Sequence, residues 1–375
     1  MAGIYIHIPF CRQKCYYCDF YKTVNTSRIS KFLDALKREI HERKNYINSI
    51  PVETIYLGGG TPSVLKAKEL DEILNLIHKK FVVANDSEIT LEANPDDLSE
   101  DYLKEIYRLG INRLSIGIQS FKDKYLQAMN RRHNSKQAIN CVENAVNTGF
   151  SNINLDLIYG LPGLKNEDWK YNLDQVFQLP VQHLSAYHLT YHDGTAFYAW
   201  LKKGSLKQLD EEDSISQFEM LIEQTQNNGF EQYEISNLAK NKMYSKHNSA
   251  YWLGKKYLGL GPSSHSFNGS SRQWNISHVE SYISAFEQNK SYFEQEILTE
   301  NDKFNEYILT RIRTIWGVSK QEIECNYGED KASYFLNTVQ KYLISKLVIQ
   351  HSDVFTLSKK GMFVSDEIMT DLMII

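Results

Sequence analysis

Short apolar runs alternate with amphipathic helical stretches through the first half of this chain of 375 residues. The runs are rich in Ile, Leu and Tyr, as buried strands are, and the stretches between them repeat apolar residues at helical spacing. This alternation predicts a parallel sheet with helices outside it. The predicted strands span 4–8, 54–57, 88–92, 113–118, 153–158 and 183–189, and the predicted helices span 30–46, 68–81, 100–109, 135–148 and 169–178.

Six such units are fewer than the eight of a closed barrel, so we predict an α/β fold with a partial (β/α)6 barrel similar to a TIM barrel. A doubly wound sheet is the alternative. Both architectures gather function at the C-terminal ends of the strands. A polar or glycine element follows each predicted strand, at 11–20, 58–62, 92–95, 117–121, 159–163 and 190–194.

Three cysteines, Cys11, Cys15 and Cys18, follow the first predicted strand with the spacing Cys-x3-Cys-x2-Cys. Thiolates are soft metal ligands, and a set of three leaves one coordination position open. The aromatic residues among them favour an iron–sulfur cluster. A structural zinc ion completed by His7 or Asp19 is the alternative.

Other polar candidates lie in or after later strands, with Glu92 and Asp156 inside otherwise apolar predicted strands. Glu92 and Asp156 could hold an ammonium group and a ribose diol, while Arg131 could hold a carboxylate. The glycines at 58–60 let bare backbone, including its N–H groups, approach a polar ligand. Each of these residues, like Gln119, is by itself more often structural, capping a helix or facing solvent.

Taken together, these motifs resemble those of the radical S-adenosylmethionine (SAM) superfamily. The strings at 5–11, 92–95, 113–121 and 156–162 are similar to those of its oxygen-independent coproporphyrinogen III oxidase-like family. The resemblance implies a [4Fe-4S] cluster held by the three cysteines, with its open iron bound by the amino and carboxylate groups of SAM.

The same resemblance implies a set of SAM-binding residues. Tyr5 and Tyr17 would flank the cluster and cofactor, and Thr190 would contact the adenine side. The residues near the methionyl amine would be Gly59, Gly60 and Thr61, and those holding the rest of SAM would be Glu92, Gln119, Arg131 and Asp156.

Within that family the chain resembles the HemW branch of haem chaperones. The oxidases carry a fourth cysteine where this chain has Phe20, and an extension ahead of the first strand. The HemW branch also carries a His-Asn-x-x-Tyr-Trp motif, which here implies haem binding by His247, Tyr251 and Trp252. His265 is a second haem-ligand candidate. The alternative is a surface histidine at 247 beside a tryptophan that only packs.

The resemblance therefore predicts a chaperone that binds haem and passes it to an acceptor protein. One option for the acceptor is a membrane-associated respiratory protein. The chaperone itself could form a homodimer. The cluster and SAM would regulate dimerisation or transfer, and whether the protein is an enzyme stays open. The alternative is oxidative decarboxylation of coproporphyrinogen III without oxygen, with radical chemistry on an unrelated substrate as a third hypothesis.

Composition limits the partners. The formal net charge of −4 gives no electrostatic case for binding nucleic acid or an anionic membrane. No run of apolar residues is long enough to span a bilayer, and no signal peptide is visible. The isolated Cys141 and Cys325 do not suggest a disulfide framework, which predicts a reducing, cytoplasmic location.

The length exceeds what one ordinary core supports and predicts several units. We expect the barrel over 1–210, a helical extension carrying the His-Asn-x-x-Tyr-Trp motif over 211–285, and a cap domain over 286–375. The cap is predicted to be mainly helical and winged-helix-like, with helices at 301–315, 319–326 and 332–344 and a hairpin at 347–357.

Overall fold

The computed structural model describes residues 2–374, and the centre of the fold is a sheet of twelve strands. Its first six strands lie side by side in chain order and are parallel, as expected for a partial barrel. They are β1 (Ala2–Ile8), β2 (Val52–Gly59), β3 (Val83–Ala93), β4 (Arg113–Gln119), β5 (Ile153–Tyr159) and β6 (His183–His188). All six predicted strands are confirmed.

Helices connect these strands and bury one apolar face each against the sheet. They are α1 (Ile29–Glu42), α2 (Ala67–Lys80), α3 (Glu100–Arg108), α4 (Asp123–Ala128), α5 (Ser135–Thr148) and α6 (Asn166–Gln178). The cap of α5 explains its sharp start, since Asn134 and Gln137 exchange hydrogen bonds with each other's backbone N–H groups. Gly149 ends the same helix in the left-handed conformation with φ of 116°.

Residues 211–285 do not form a purely helical extension. They contain α8 (Glu211–Asn227), α9 (Lys246–Trp252) and α10 (Val279–Glu287), which follow α7 (Ala196–Lys202), together with five short strands. The strands are β7 (Phe230–Gln232), β8 (Asn237–Lys240), β9 (Lys256–Leu260), β10 (His265–Phe267) and β11 (Ser271–Asn275). They extend both edges of the barrel sheet, because β9 pairs in parallel with β1 and β8 pairs antiparallel with β6.

A second, smaller unit follows β12 (Phe293–Ile297), which still pairs with β11 in the main sheet. The unit has its own apolar core, and its sheet of three strands is antiparallel. Its elements are α11 (Glu300–Arg311), β13 (Val318–Ser319), α12 (Lys320–Tyr327), α13 (Glu329–Ile344), β14 (Val348–His351), β15 (Val354–Leu357), α14 (Lys359–Phe363) and α15 (Ser365–Leu372). The predicted small C-terminal domain, mainly helical with a hairpin, is confirmed.

The boundary between the two units lies later than predicted. Residue 286 falls inside α10, whose apolar face packs in the main core, and that core extends to Tyr292. The second core begins at Phe304. Among the helices of residues 2–374, none combines the length and the apolar character needed to cross a bilayer.

Candidate functional site

A cavity of about 400 Å³ opens where the parallel strands end. It is built from the loops that follow β1 to β6, which is where an α/β sheet collects its functional groups. Twelve of the thirteen residues predicted to bind the cluster or SAM line it: Cys11, Cys15, Cys18, Tyr17, Gly59, Gly60, Thr61, Glu92, Gln119, Arg131, Asp156 and Thr190. We call it the strand-end cavity.

Backbone hydrogen bonds hold the two ends of the cysteine loop together. Cys11 N donates to Thr23 O at 2.9 Å, and Thr23 N donates to Pro9 O at 2.7 Å, which closes the loop on itself. Cys11 is buried, while Cys15 and Cys18 are partly exposed to the cavity. Burial raises the pKa of the Cys11 thiol to about 11, although a hydrogen bond from Thr61 Oγ1 to its sulfur opposes that shift.

The zinc alternative finds no support in the position of His7. Its Nδ1 is 3.1 Å from Tyr5 Oη and its Nε2 is 3.1 Å from Tyr21 O, so both ring nitrogens are already engaged. Asp19 lies 3.4 Å from the ring of His192. Across residues 2–374, no three His, Cys, Asp or Glu side chains converge on a single point as ligands of one metal ion do.

The glycine run presses directly on the cysteine loop. Gly60 N donates to Ile8 O and Thr61 N donates to Phe10 O, both at 2.8 Å. A Cβ on Gly60 would lie 2.8 Å from those same two carbonyl oxygens, which is closer than real contacts allow. Glycine is required here because two segments of backbone meet without room for a side chain.

These contacts change how the glycine run could meet a ligand. Gly59 N donates to Glu92 Oε2 at 3.1 Å, so the N–H groups of Gly59, Gly60 and Thr61 are all used inside the protein. The expectation that these N–H groups face a ligand is therefore wrong. The loop can offer carbonyl oxygens, which suit an ammonium group.

Two carboxyl groups lie on the floor of the strand-end cavity. Glu92 accepts hydrogen bonds from Tyr56 Oη at 2.7 Å and from Gly59 N, and burial raises its pKa to about 7. Asp156 accepts from Asn154 Nδ2 at 2.7 Å, and burial raises its pKa to about 6. Both pKa shifts express the cost of holding a carboxylate away from water, which the positive charge of Arg113 offsets only in part.

Arg131 also lines the cavity, and its side chain supports several of the other groups. Its Nη2 donates to Asn94 Oδ1 and to Gly117 O, each at 2.6 Å, and its Nη1 lies 3.5 Å from the sulfur of Cys15. Among the described residues its buried Nε has no hydrogen-bond partner. A cation with an unused donor beside the cysteines suits a carboxylate ligand.

Gln119 ends β4 in an unusual backbone conformation. Its φ is 67°, which is uncommon for a residue other than glycine, and the register between β4 and β5 shifts there. A Cβ on Gly117 would lie 3.0 Å from Gln119 Nε2, so this glycine makes room for the amide side chain. Strain of this kind is concentrated where a side chain must be aimed at a ligand.

Some lining residues escaped the sequence reasoning. Arg113, at the start of β4, is 1% exposed; its Nε lies 3.9 Å from Glu88 and lacks a hydrogen-bond partner in the described chain. Asn154, in β5, holds Asp156. Arg113 and Asn154 share one sequence signal with Asp156, since each is a polar residue in an otherwise apolar strand.

Tyr5 is the one predicted SAM residue that does not line the strand-end cavity. It lies behind the cavity floor, with its ring centroid 6.1 Å from that of Tyr56 and 6.4 Å from that of His247. It instead lines a second cavity of about 990 Å³ together with His265 and the C-terminal side of α9. We call this the edge cavity.

The His-Asn-x-x-Tyr-Trp motif forms α9, and its members separate. Tyr251 and Trp252 line the edge cavity, whereas His247 is buried between α9 and β2 and lines neither cavity. Its Nδ1 lies 2.8 Å from Thr54 Oγ1 and its Nε2 lies 2.9 Å from Tyr251 Oη. Burial lowers the pKa of His247 to about 3, so its imidazole is neutral.

Comparisons with known proteins agree with this arrangement. Residues 5–176 match the model of the radical SAM superfamily. A relative from Bacillus subtilis, "Heme chaperone HemW", is 34% identical over 372 residues, which cover 98% of each chain. The chain belongs to the HemW family of radical SAM proteins. A HemW relative from Lactococcus lactis is 31% identical, over 95% of this chain and 93% of its own.

The fold also has a match among solved structures. Coproporphyrinogen III oxidase (HemN) from Escherichia coli superposes with a TM-score of 0.86 over 99% of this chain and 89% of its own, at 24% identity. The match extends beyond the barrel and supports one architecture, a partial barrel with a C-terminal unit, for both proteins.

Proposed function

We propose that this HemW-family protein is a haem chaperone that binds haem and transfers it to an acceptor protein. The observation that carries the proposal is the edge cavity, which is large enough for a tetrapyrrole and presents Tyr251 and Trp252 of the motif. The relatives from B. subtilis and L. lactis are named as haem chaperones, which agrees with haem as the cargo.

We further propose that the strand-end cavity holds a [4Fe-4S] cluster and SAM. Cys11, Cys15 and Cys18 would hold the cluster, which supplies one-electron chemistry when bound. The carbonyls of the glycine run and Glu92 suit the ammonium group of SAM. Arg131 suits its carboxylate, and Asp156 suits its ribose hydroxyls.

The remaining predicted residues lie around the proposed SAM site. Tyr17 and Thr190 stand on the cavity wall, and Gln119 is aimed inward by the backbone at the end of β4. Tyr5 stays part of the proposal as a ring behind the floor of the cavity, where it shields the site from the edge cavity.

The geometry favours a positioning role for His247 over the predicted role of axial haem ligand. Iron binding at Nε2 would require the bond to Tyr251 Oη to open, and Nδ1 is held by Thr54 Oγ1. Tyr251 and Trp252 remain the members of the motif that would contact haem. His247 fixes the hydroxyl of Tyr251 from behind.

Phe20 supports a chaperone over an oxidase. It occupies the position of a fourth cysteine, and its side chain is 66% exposed, with contacts to both cavities. We propose that coproporphyrinogen is not turned over and that the cluster and SAM regulate dimerisation or transfer. A cytoplasmic location, a membrane-associated respiratory acceptor and a homodimer belong to the same proposal.

The test compares haem binding with porphyrin chemistry on one preparation. The protein is reconstituted anaerobically with iron and sulfide, titrated with haem, and assayed with SAM, a reductant and coproporphyrinogen III. We expect saturable haem binding and transfer to a haem-free acceptor, with no protoporphyrinogen formed. Absence of haem binding, or protoporphyrinogen formation over many turnovers, would contradict the proposal.

A further inference from the structure

The edge cavity lies between the edge of the main sheet and the C-terminal unit. One wall is formed by β9, β10 and β11 together with the end of α9, and the other by α11 and α12. Its volume of about 990 Å³ is more than twice that of the strand-end cavity. Small-molecule sites commonly lie at such junctions between units and have volumes of about 300–1,000 Å³.

His265 places an imidazole on this cavity. It begins β10, is exposed, and shares a face of the strand with Phe267, which also lines the cavity, because side chains two residues apart point the same way. No residue among 2–374 contributes a hydrogen bond to its ring nitrogens. The other histidine on the cavity, His7, is buried and has both nitrogens engaged.

The cavity wall offers one unpaired cation to an anionic ligand. Four cationic side chains line the cavity. Arg272 pairs with Glu306, Lys303 pairs with Glu300 at 2.7 Å, and Arg311 pairs with Glu322 at 3.0 Å. Lys255 has no ion-pair partner within the described residues, so its charge is available to a ligand.

Aromatic rings cover both walls of the cavity. Trp252 and Tyr257 lie on the barrel side of the cavity. Tyr307 and Tyr327 lie on the side of the C-terminal unit, and the ring centroids of these two tyrosines are 5.6 Å apart. A flat apolar macrocycle binds favourably between aromatic rings, because both of its faces are then packed against them. Imidazole, cationic groups and aromatic walls therefore occur in one place.

We propose that the edge cavity is the haem site, with His265 as axial ligand to the iron and Lys255 as partner of a propionate. This inference rests on the proposed function, since it takes haem as the cargo. It assigns iron ligation to a histidine outside the His-Asn-x-x-Tyr-Trp motif. Trp252 and Tyr251 of that motif form part of the wall.

The axial ligand is tested with full-length protein free of haem and titrated with ferric haem. We expect His265→Ala to shift the Soret band and to weaken haem affinity about tenfold or more. His265→Gly should regain the original band when imidazole is added, because free imidazole can fill the vacated position. A ligand role predicts this rescue, and a purely structural role does not.

His351→Ala is the matched control, since His351 is an exposed histidine on a strand of the C-terminal hairpin and lies outside the cavity. It should leave the Soret band and the affinity unchanged. Melting curves for all variants check that each is folded; His265 is exposed, so little loss of stability is expected.

The propionate contact is tested with two ligands. Lys255→Glu should weaken binding of haem about tenfold, because it replaces an attraction with a repulsion. Haem dimethyl ester has no carboxylates and should bind the wild type and Lys255→Glu equally. Equal loss for both ligands would overturn the assignment of Lys255 to a propionate.

The outcomes separate this inference from the proposed function. If the wild type binds no haem, both are overturned. If the wild type binds haem and His265→Ala keeps the wild-type band and affinity, only the assignment to His265 is overturned, and the same holds if imidazole changes nothing in His265→Gly.

Discussion

Glu92 and Asp156 place two carboxyl groups in a cavity where burial raises the pKa of each, to about 7 and about 6. Each is held by hydrogen bonds, and each raises the energy of the charged form of the other. Such a pair is costly to the fold when ionised and is compensated when a cationic ligand arrives.

Replacing Glu92 by Gln should therefore stabilise the protein in a pH-dependent way. The pKa of Glu92 in the folded protein lies above its unfolded value of 4.5. The protonated acid therefore contributes to the stability of the fold in full below pH 4.5, and this stability is lost as the pH rises through about 7. Without SAM, Glu92→Gln should raise stability by on the order of 1–2 kcal/mol at pH 8 and by little at pH 5.

Melting temperatures of the two proteins at both pH values measure this difference. The same variant should bind SAM about tenfold more weakly, since a neutral amide replaces the carboxylate opposite the ammonium group. An unchanged affinity for SAM would remove Glu92 from the site, and a stability gain at pH 5 equal to that at pH 8 would contradict the pKa argument.

Gly60 is a position where the absence of a Cβ atom lets the glycine run pack against the cysteine loop. Gly60→Ala should push the glycine run away from the cysteine loop, because the new methyl group meets the backbone oxygens of Ile8 and Phe10 at 2.8 Å. We expect a loss of roughly 1–3 kcal/mol and a lower iron content after reconstitution.

Gly58→Ala is the matched control for that substitution. Its methyl group would meet side chains, Tyr56 at 2.8 Å and Glu92 at 3.0 Å, which can shift more easily than backbone. Iron content should therefore fall less in Gly58→Ala than in Gly60→Ala. Equal iron contents in the two variants would show that the backbone contact does not position the cysteines.

At the scale of elements, α9 is fixed to the barrel by its polar N-terminal half. The N–H groups of Lys246 and His247 donate to the carboxylate of Glu88 in β3, at 3.1 and 3.0 Å. His247 adds the contact to Thr54 in β2 and holds Tyr251 one turn further on. The helix is thereby fixed with Tyr251 and Trp252 turned to the edge cavity.

Removing the His247 side chain should lower the stability of the protein and leave the ligation of the haem iron unchanged. His247→Ala leaves Thr54 Oγ1 and Tyr251 Oη without their partner and should cost about 2–3 kcal/mol of stability, seen as a lower melting temperature. The Soret band of the bound haem should keep its wild-type position.

Tyr251→Phe is the companion variant, since it removes the hydroxyl and leaves His247 Nε2 without that bond. It should show a smaller loss of stability and likewise an unaltered Soret band. A band shift in His247→Ala that is absent from His265→Ala would restore the interpretation of His247 as the axial ligand.

The elements that could be predicted are those with a local signal. The helix at 135–148 matches α5 because its capping residues and terminal glycine mark both ends. The strands β7 to β12 were missed because they span five residues or fewer, and β12 is mostly exposed and shows no apolar alternation. They are strands because of their neighbours in the sheet.

The residues of the two cavities likewise divide into those with a local sequence signal and those without one. Residues directly after strands could be predicted, since parallel strands bring their ends together whatever the details of packing. The engagement of His247 depends on Thr54, 193 residues earlier in the chain, and no local pattern encodes that contact. The free charge of Lys255 in the edge cavity is likewise hidden in a chain of net charge −4.

At the scale of the whole molecule, the two cavities belong to different surroundings. The strand-end cavity is lined by the loops of the parallel sheet, and the edge cavity needs the C-terminal unit for one wall. The pairing of Arg272 in β11 with Glu306 in α11 holds the two walls of the edge cavity together.

Separate surroundings predict separate occupancy. A variant with Cys11, Cys15 and Cys18 all changed to Ala should lose its iron–sulfur content and keep one haem per chain, measured by iron analysis and haem titration. His265→Ala should behave in the opposite way, with full cluster content and weakened haem binding. Loss of haem binding in the cysteine variant would show that the two sites form a single unit.

Phe20 is the exception to that separation, because one exposed ring borders both cavities. A ligand in either cavity covers part of this ring and thereby alters the surface offered to the other ligand. Thermodynamic linkage makes the effect reciprocal: by whatever factor SAM changes the affinity for haem, haem changes the affinity for SAM. The position at which this chain differs from the motif of the oxidases is thus also where the proposed ligands of the two cavities would affect each other.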